Sequence, residues 1–219
     1  MARLLFEKTG KAVWISHLDL MRLFQRAFKR AGLPLKHTQG FNPRPSVSIA
    51  LPLSVGTASH CELLDFDLDC DYAEVDNLVE RLNCALVDGI KVHRVYHDGR
   101  KIRDLSLMRT QITLEYDSGV PTEATHLLTA LLSQEKLLVL KKTKSGTQEQ
   151  DLIPMILNFN VFQKDDHQIL IDVLHCCQNP TLNPMQIPIA IQKYLPDCAP
   201  DFSRCCRIEI YDSKEEVFR

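Results

Sequence analysis

Residues 16–52 read SHLDLMRLFQRAFKRAGLPLKHTQGFNPRPSVSIALP, and the hydrophobic period changes twice within them. Helical spacing runs to Ala31, Gly32 and Pro34 break it, a proline-rich turn follows, and an apolar run then leads to Leu53. Such a chain must place a helix, a stiff turn and a strand in direct succession. Ser16 stands before the periodic run with Asp19 three places on, a capping-box-like start whose carboxylate also suits a helix N-terminus. At about 100° per residue, Leu20, Met21, Phe24, Ala27, Phe28 and Ala31 share one face, while Arg22, Arg26, Lys29 and Arg30 share another. The cationic stripe is either a solvated surface or a contact for a polyanion.

The turn at residues 39–45 is the second constraint. Pro43 and Pro45 fix φ and remove backbone donors, Gly40 permits a positive φ, and Asn42 is held extended by the following proline. One expectation is a plain connection with Phe41 tucked into the core. The other is a recognition loop in which Phe41, Asn42 and Arg44 meet a stacked, unpaired base and its phosphate.

Charge is segregated along the chain. Residues 1–50 carry nine Lys/Arg against two acids, or +7, and residues 51–98 carry three against ten, or −7, although the whole chain is only −2. One basic face could therefore be offered to phosphates by a protein that would not coat nucleic acid indiscriminately.

Several motifs resemble a known signature: Phe6-x-Lys8-x-Gly10, Ser16-His17-Leu18-Asp19-Leu20-Met21-Arg22, Gly40-Phe41-Asn42-Pro43-Arg44-Pro45 and Leu51-Pro52-Leu53-x-Val55-Gly56. Lys141-Lys142-Thr143-Lys144-x-Gly146, Asn179-x-x-Leu182-Asn183-Pro184 and Arg207-Ile208-Glu209-Ile210-Tyr211 extend it through the chain. Together they are similar to a bacterial domain family of unknown function that occurs fused to, or encoded beside, radical-SAM proteins, often near a ribonuclease of the E/G type. The resemblance implies a radical-SAM protein as partner. It implies no established activity.

The remaining features exclude more than they assign. A chain of 219 residues with 45% hydrophobic and 25% charged residues is that of a globular protein with a real core. No apolar run approaches a membrane span and MARLLFEKTG lacks a signal-peptide stretch, so the expectation is a cytoplasmic protein with no membrane contact. The eight cysteines contain no C-x-x-C pair, and Cys176-Cys177 and Cys205-Cys206 would point to opposite faces of a strand. Free, mostly buried thiols are expected, with no metal and no cofactor. The closely spaced cysteine triplet of a radical-SAM cluster is missing, so any such cluster belongs to a partner. There is likewise no Walker loop, no G-x-G-x-x-G, no H-E-x-x-H and no nucleophile elbow.

Period and punctuation predict strand 4–15, helix 16–31, strand 46–53, strand 60–68, helix 73–86 and strand 90–97. The second half repeats this less clearly, with strand 110–116, helix 122–134, strands 137–144, 152–163 and 167–176, helix 183–195 and strand 205–211. The predicted fold class is α+β, a tandem of ferredoxin-like β-α-β-β-α-β units with antiparallel sheets. The units span residues 1–98 and 110–219, joined by a basic linker, 99–109, that carries Arg100, Lys101, Arg103 and Arg109. In outline this resembles the CRISPR repeat-processing endoribonucleases, a likeness of fold alone.

His17 projects to the side of Phe24 and Phe28, as a half-buried histidine at a helix start or as a general acid/base. His37, just before the turn, is a surface histidine or a second catalyst near Arg44. In strand geometry Lys142 and Lys144 share one face, fit for phosphates or for keeping an edge strand soluble. Three functions follow: an RNA-binding, substrate-presenting module for a radical-SAM enzyme of tRNA or rRNA modification, a metal-independent endoribonuclease using His17 and His37, and a protein–protein adaptor without RNA. The first is favoured, and in it the chain is a non-catalytic partner whose RNA contacts are Arg22, Arg26, Lys29, Arg30, Phe41, Asn42, Arg44, Lys142 and Lys144.

Overall fold

The computed structural model describes residues 1–71, 75–143 and 146–219, with Lys142 and Thr143 described by their backbone alone. Its fold mixes α and β, with antiparallel strand pairs and four α-helices among the described residues. No helix there is long and apolar enough to cross a membrane. The chain divides into two compact units, Met1–Asp104 with Val217–Arg219, and Leu105–Glu216.

The first unit contains β1 (Ala2–Lys8), α1 (His17–Arg30), β2 (Val47–Ile49), β3 (Thr57–Phe66), α2 (Leu78–Ala85) and β4 (Ile90–Tyr96). Its strands lie in the order β4-β1-β3-β2, every pair antiparallel, with Leu4 opposite Leu64 and Ile49 also opposite Leu64. Alternation on β1 sends Leu4 and Phe6 into a core with Leu64 and Phe66 of β3, Phe24 and Phe28 of α1 and Leu82 of α2. Phe6 meets Phe24 edge-on at 4.8 Å between centroids, and Phe28 meets Phe66 at 4.9 Å. These pairs fix which stripe of α1 faces inward, and so leave its cations outside.

Expectation and structure part at several strand and helix ends. The predicted strand 4–15 stops at Lys8, because Gly10 takes a φ of +54° and opens a 3-10 turn, Gly10–Trp14. The buried Lys8 ammonium secures that turn by donating to the carbonyls of Val13 (3.1 Å) and Ile15 (2.8 Å). The predicted strand 46–53 shrinks to Val47–Ile49, since Leu51 adopts a φ of +45° before Pro52. Residues 73 and 74 of the helix predicted over 73–86 lie outside the described residues; α2 itself starts at Leu78, after Asn77 at a φ of +53°.

The second unit contains β5 (Leu105–Glu115), α3 (Ala124–Leu132), β6 (Leu138–Thr143), β7 (Gly146–Asp151), β8 (Ile156–Asp165), β9 (Gln168–Cys176), α4 (Gln186–Tyr194) and β10 (Phe202–Asp212). Its strands follow the order β10-β5-β9-β8, again antiparallel, and α3 and α4 close one face over Ile112, Leu114, Ile169, Ile171 and Val173. β6 and β7 form a separate hairpin. The predicted strand 152–163 begins only at Ile156, because Pro154 lies in a 3-10 turn, Ile153–Met155. β5 starts at Leu105, which puts Arg109 within a strand.

Candidate functional site

The carboxyl end of α1 and the loop that follows it bound one surface of the first unit. α1 begins as its sequence dictates: the Ser16 hydroxyl accepts the Asp19 amide at 3.2 Å and donates to the Asp19 carboxylate at 2.7 Å. The Ser16 hydroxyl and then Arg22, whose guanidinium lies 3.0 Å away, hold the Asp19 carboxyl below its ordinary range. Asp19 is thus a cap residue that also occupies Arg22.

The other end is a Schellman stop. Gly32 adopts a φ of +67°, its amide reaches the Lys29 carbonyl, and the Leu33 amide reaches that of Phe28 at 2.9 Å. Arg81 of α2 completes it by donating to the carbonyls of Ala31 (2.8 Å) and Gly32 (3.1 Å). Sequence reasoning missed Arg81, because nothing local links it to residues some fifty places earlier. Arg30 likewise donates to the Ala85 carbonyl at the end of α2.

Beyond this stop the loop folds on itself. His37 bridges Pro45, the Thr38 amide bonds the Arg44 carbonyl at 2.8 Å, and the Arg44 amide bonds the Thr38 hydroxyl at 3.0 Å. Ser46 bonds Lys36, and Lys36 bonds Asp67, so the base of the loop is tied to the segment after β3. Residues 38–44 are all exposed. Phe41 is fully so, at 107%. The reading that tucked Phe41 into the core is therefore corrected: its ring stands in solvent beside Asn42, on a loop that two prolines and Gly40 hold outward.

Between helix and loop lies a cleft of about 730 Å³ lined by Gln25, Arg26, Lys29, Leu35, His37, Pro45 and Asp69. A second recess, about 390 Å³, is lined by Asp19, Arg22, Arg26 and Arg30. Arg26 borders both. Two expected cations and one expected histidine are thus brought to the same cleft, with Asp69 and Gln25 as lining residues that sequence reasoning passed over. Asp69 is positioned by its amide bond to the Pro34 carbonyl at 2.8 Å.

Other candidates fall elsewhere. His17, half-buried, occupies the first turn of α1, about 14 Å along the axis from Arg26 at 1.5 Å per residue, and does not line the cleft. The two histidines thus belong to different places on the surface. The Lys142 backbone pairs with Thr147 in the second unit's hairpin, and Lys144 lies outside the described residues.

No group of three or more His, Cys, Asp or Glu among the described residues is placed to hold a metal ion. All eight cysteines are free. Burial pushes the thiols of Cys177 and Cys205 up to about 12 and that of Cys206 to about 11, which keeps them protonated and unreactive.

No curated protein matches the chain. The model of the family described as "Uncharacterized protein conserved in bacteria (DUF2344)" matches residues 2–184, and the chain belongs to that family.

Proposed function

We propose that the chain is an RNA-binding module that presents a tRNA or rRNA segment to a radical-SAM partner for modification. The observation that carries the RNA part is the shared cleft: Arg26 and Lys29 enter it from α1, and His37 enters from the loop that holds Phe41 and Asn42 in solvent. Cations on a rigid helix suit phosphates, and an exposed ring on a stiff loop suits an unpaired base. The radical-SAM partner rests on the resemblance of the sequence motifs. We read each unit as ferredoxin-like. Strand orders β4-β1-β3-β2 and β10-β5-β9-β8 support this, with the β6–β7 hairpin as an insertion after α3.

The test is a salt titration of RNA binding by the wild type and by Arg26→Glu/Lys29→Glu. Each lost phosphate contact should reduce the slope of log K against log salt by about one. A double reversal that keeps wild-type affinity and slope would remove the cleft from the account.

A second reading, metal-independent RNA cleavage, draws on His37 beside Arg26 and Lys29. In it the His37 imidazole takes the proton of a ribose 2′-hydroxyl, the 2′-oxygen attacks the adjacent phosphorus, and the 5′-oxygen leaves with a proton from solvent. The products are a 2′,3′-cyclic phosphate and a 5′-hydroxyl end, and the cations stabilise the charge on the phosphorane. Cleavage in EDTA that disappears in His37→Ala supports this reading, and intact RNA after prolonged incubation with the wild type refutes it.

A further inference from the structure

The second unit has a polar recess that the function proposed above does not use. Register places Arg109 and Gln111 of β5 opposite Leu174 and Asp172 of β9, and these opposite Asn158 and Asn160 of β8. Residues directly opposed on antiparallel strands share a face. The intervening Ile112, Ile171, Val173 and Val161 join the core beneath α3 and α4, so the recess lies on the face those helices leave uncovered. Its volume is about 250 Å³, and Arg109, Asn158, Asn160, Asp172, Leu174 and Tyr211 line it.

The lining is organised before any ligand arrives. Arg109 donates to both carboxylate oxygens of Asp172, at 2.7 and 3.0 Å, and Tyr211 lines the recess beside it, so the carboxylate holds the guanidinium plane in place. A fixed guanidinium and a phenol ring offer flat surfaces on which a base can stack. Asn158 and Asn160 are exposed, sit two residues apart and so lie about 7 Å from each other on one face; each offers a donor and an acceptor. Leu174 adds an apolar patch.

Charge argues against a phosphate. Asp172 already neutralises Arg109, and Glu215 at the rim adds a second carboxylate. Volume argues against a large ligand, because the recess falls below the roughly 300–1,000 Å³ of pockets that enclose drug-sized molecules.

We infer that this recess takes one unpaired nucleobase of a single-stranded RNA, stacked on Arg109 and Tyr211 and read at its edge by Asn158 and Asn160. The inference rests on the RNA reading proposed above and adds a base-contacting site to a phosphate-contacting one.

The experiment measures binding of the full chain to short homopolymers of A, U and C and to an abasic oligomer of equal length. It compares the wild type with Asn158→Ala/Asn160→Ala, two exposed positions whose truncation leaves the core intact. The double variant should lose about tenfold in affinity for its preferred homopolymer and lose the preference itself, with abasic binding and salt slope unchanged. Wild-type affinity and preference in the variant would overturn the base site while leaving the RNA reading intact. Should the wild type bind no RNA, the RNA reading fails, and free nucleosides titrated into isotope-labelled full chain decide the recess separately. Shifts of the Asn158 and Asn160 side-chain amides would support it, and unmoved amides would overturn it.

Discussion

Arg26 is where the two cavities of α1 meet, and its neighbours along the helix differ from it in what else they do. Arg22 is engaged by Asp19 and Arg30 by the Ala85 carbonyl, so part of what looks in sequence like a uniform cationic stripe is local structure. Burial, rather than sequence spacing, decides the role of His175, an unremarked residue of β9. It is fully buried, with Nδ1–H donating to the Cys176 carbonyl at 3.0 Å and Nε2 accepting from the Thr110 hydroxyl at 3.0 Å. Burial pushes its pKa from 6.5 down to about 4. Because the folded value is depressed, the unfolded chain binds the extra proton between these limits, and stability falls as pH drops from 6.5 towards 4. The loss from this one residue should reach about 3 kcal/mol near the lower limit. Urea denaturation across that range checks it, and in His175→Gln that part of the pH dependence should be absent.

At the scale of elements, the helix stop links local backbone to the candidate surface. Gly32 sits at a φ of +67°, and a Cβ there would meet the Arg81 guanidinium at 3.2 Å. Gly32→Ala should therefore cost about 1–2 kcal/mol from backbone strain alone, seen as a lower thermal midpoint, and should weaken RNA binding by displacing the loop that starts a few residues on. An unchanged midpoint would mean that the stop tolerates a side chain. α1 itself was legible: its cap, its apolar stripe and its Gly-Pro end lie within a few residues of one another in sequence. The strands were less so. The alternation of β1 continues past Lys8 in sequence, but the conformation of Gly10 and the Lys8 bonds to Val13 and Ile15 depend on tertiary context. Asn158, Asn160 and Asp172 alternate with core residues in the sequence as well, yet only register across three strands shows that they converge with Arg109.

For the molecule as a whole, segregated charge gives the strongest sequence argument, since a chain of net −2 keeps +7 within its first fifty residues. The α1 and loop residues of that segment surround one cleft. Phe41 marks the limit of that legibility, because a lone aromatic between Gly and Asn fits core and solvent equally well until the bonds of Thr38 and Arg44 set the loop outward. The matched family carries no activity with it, so function must come from the surface itself.

Phosphate contacts made by the cleft between α1 and the loop, as proposed above, would show in a salt titration of the purified protein against bulk cellular RNA, with sequencing of the retained species, for the wild type and Arg26→Glu/Lys29→Glu. The wild type should retain a defined tRNA or rRNA species with a steep salt dependence, and the double variant should show a slope shallower by about two. No retention by the wild type even at low salt would contradict that proposal.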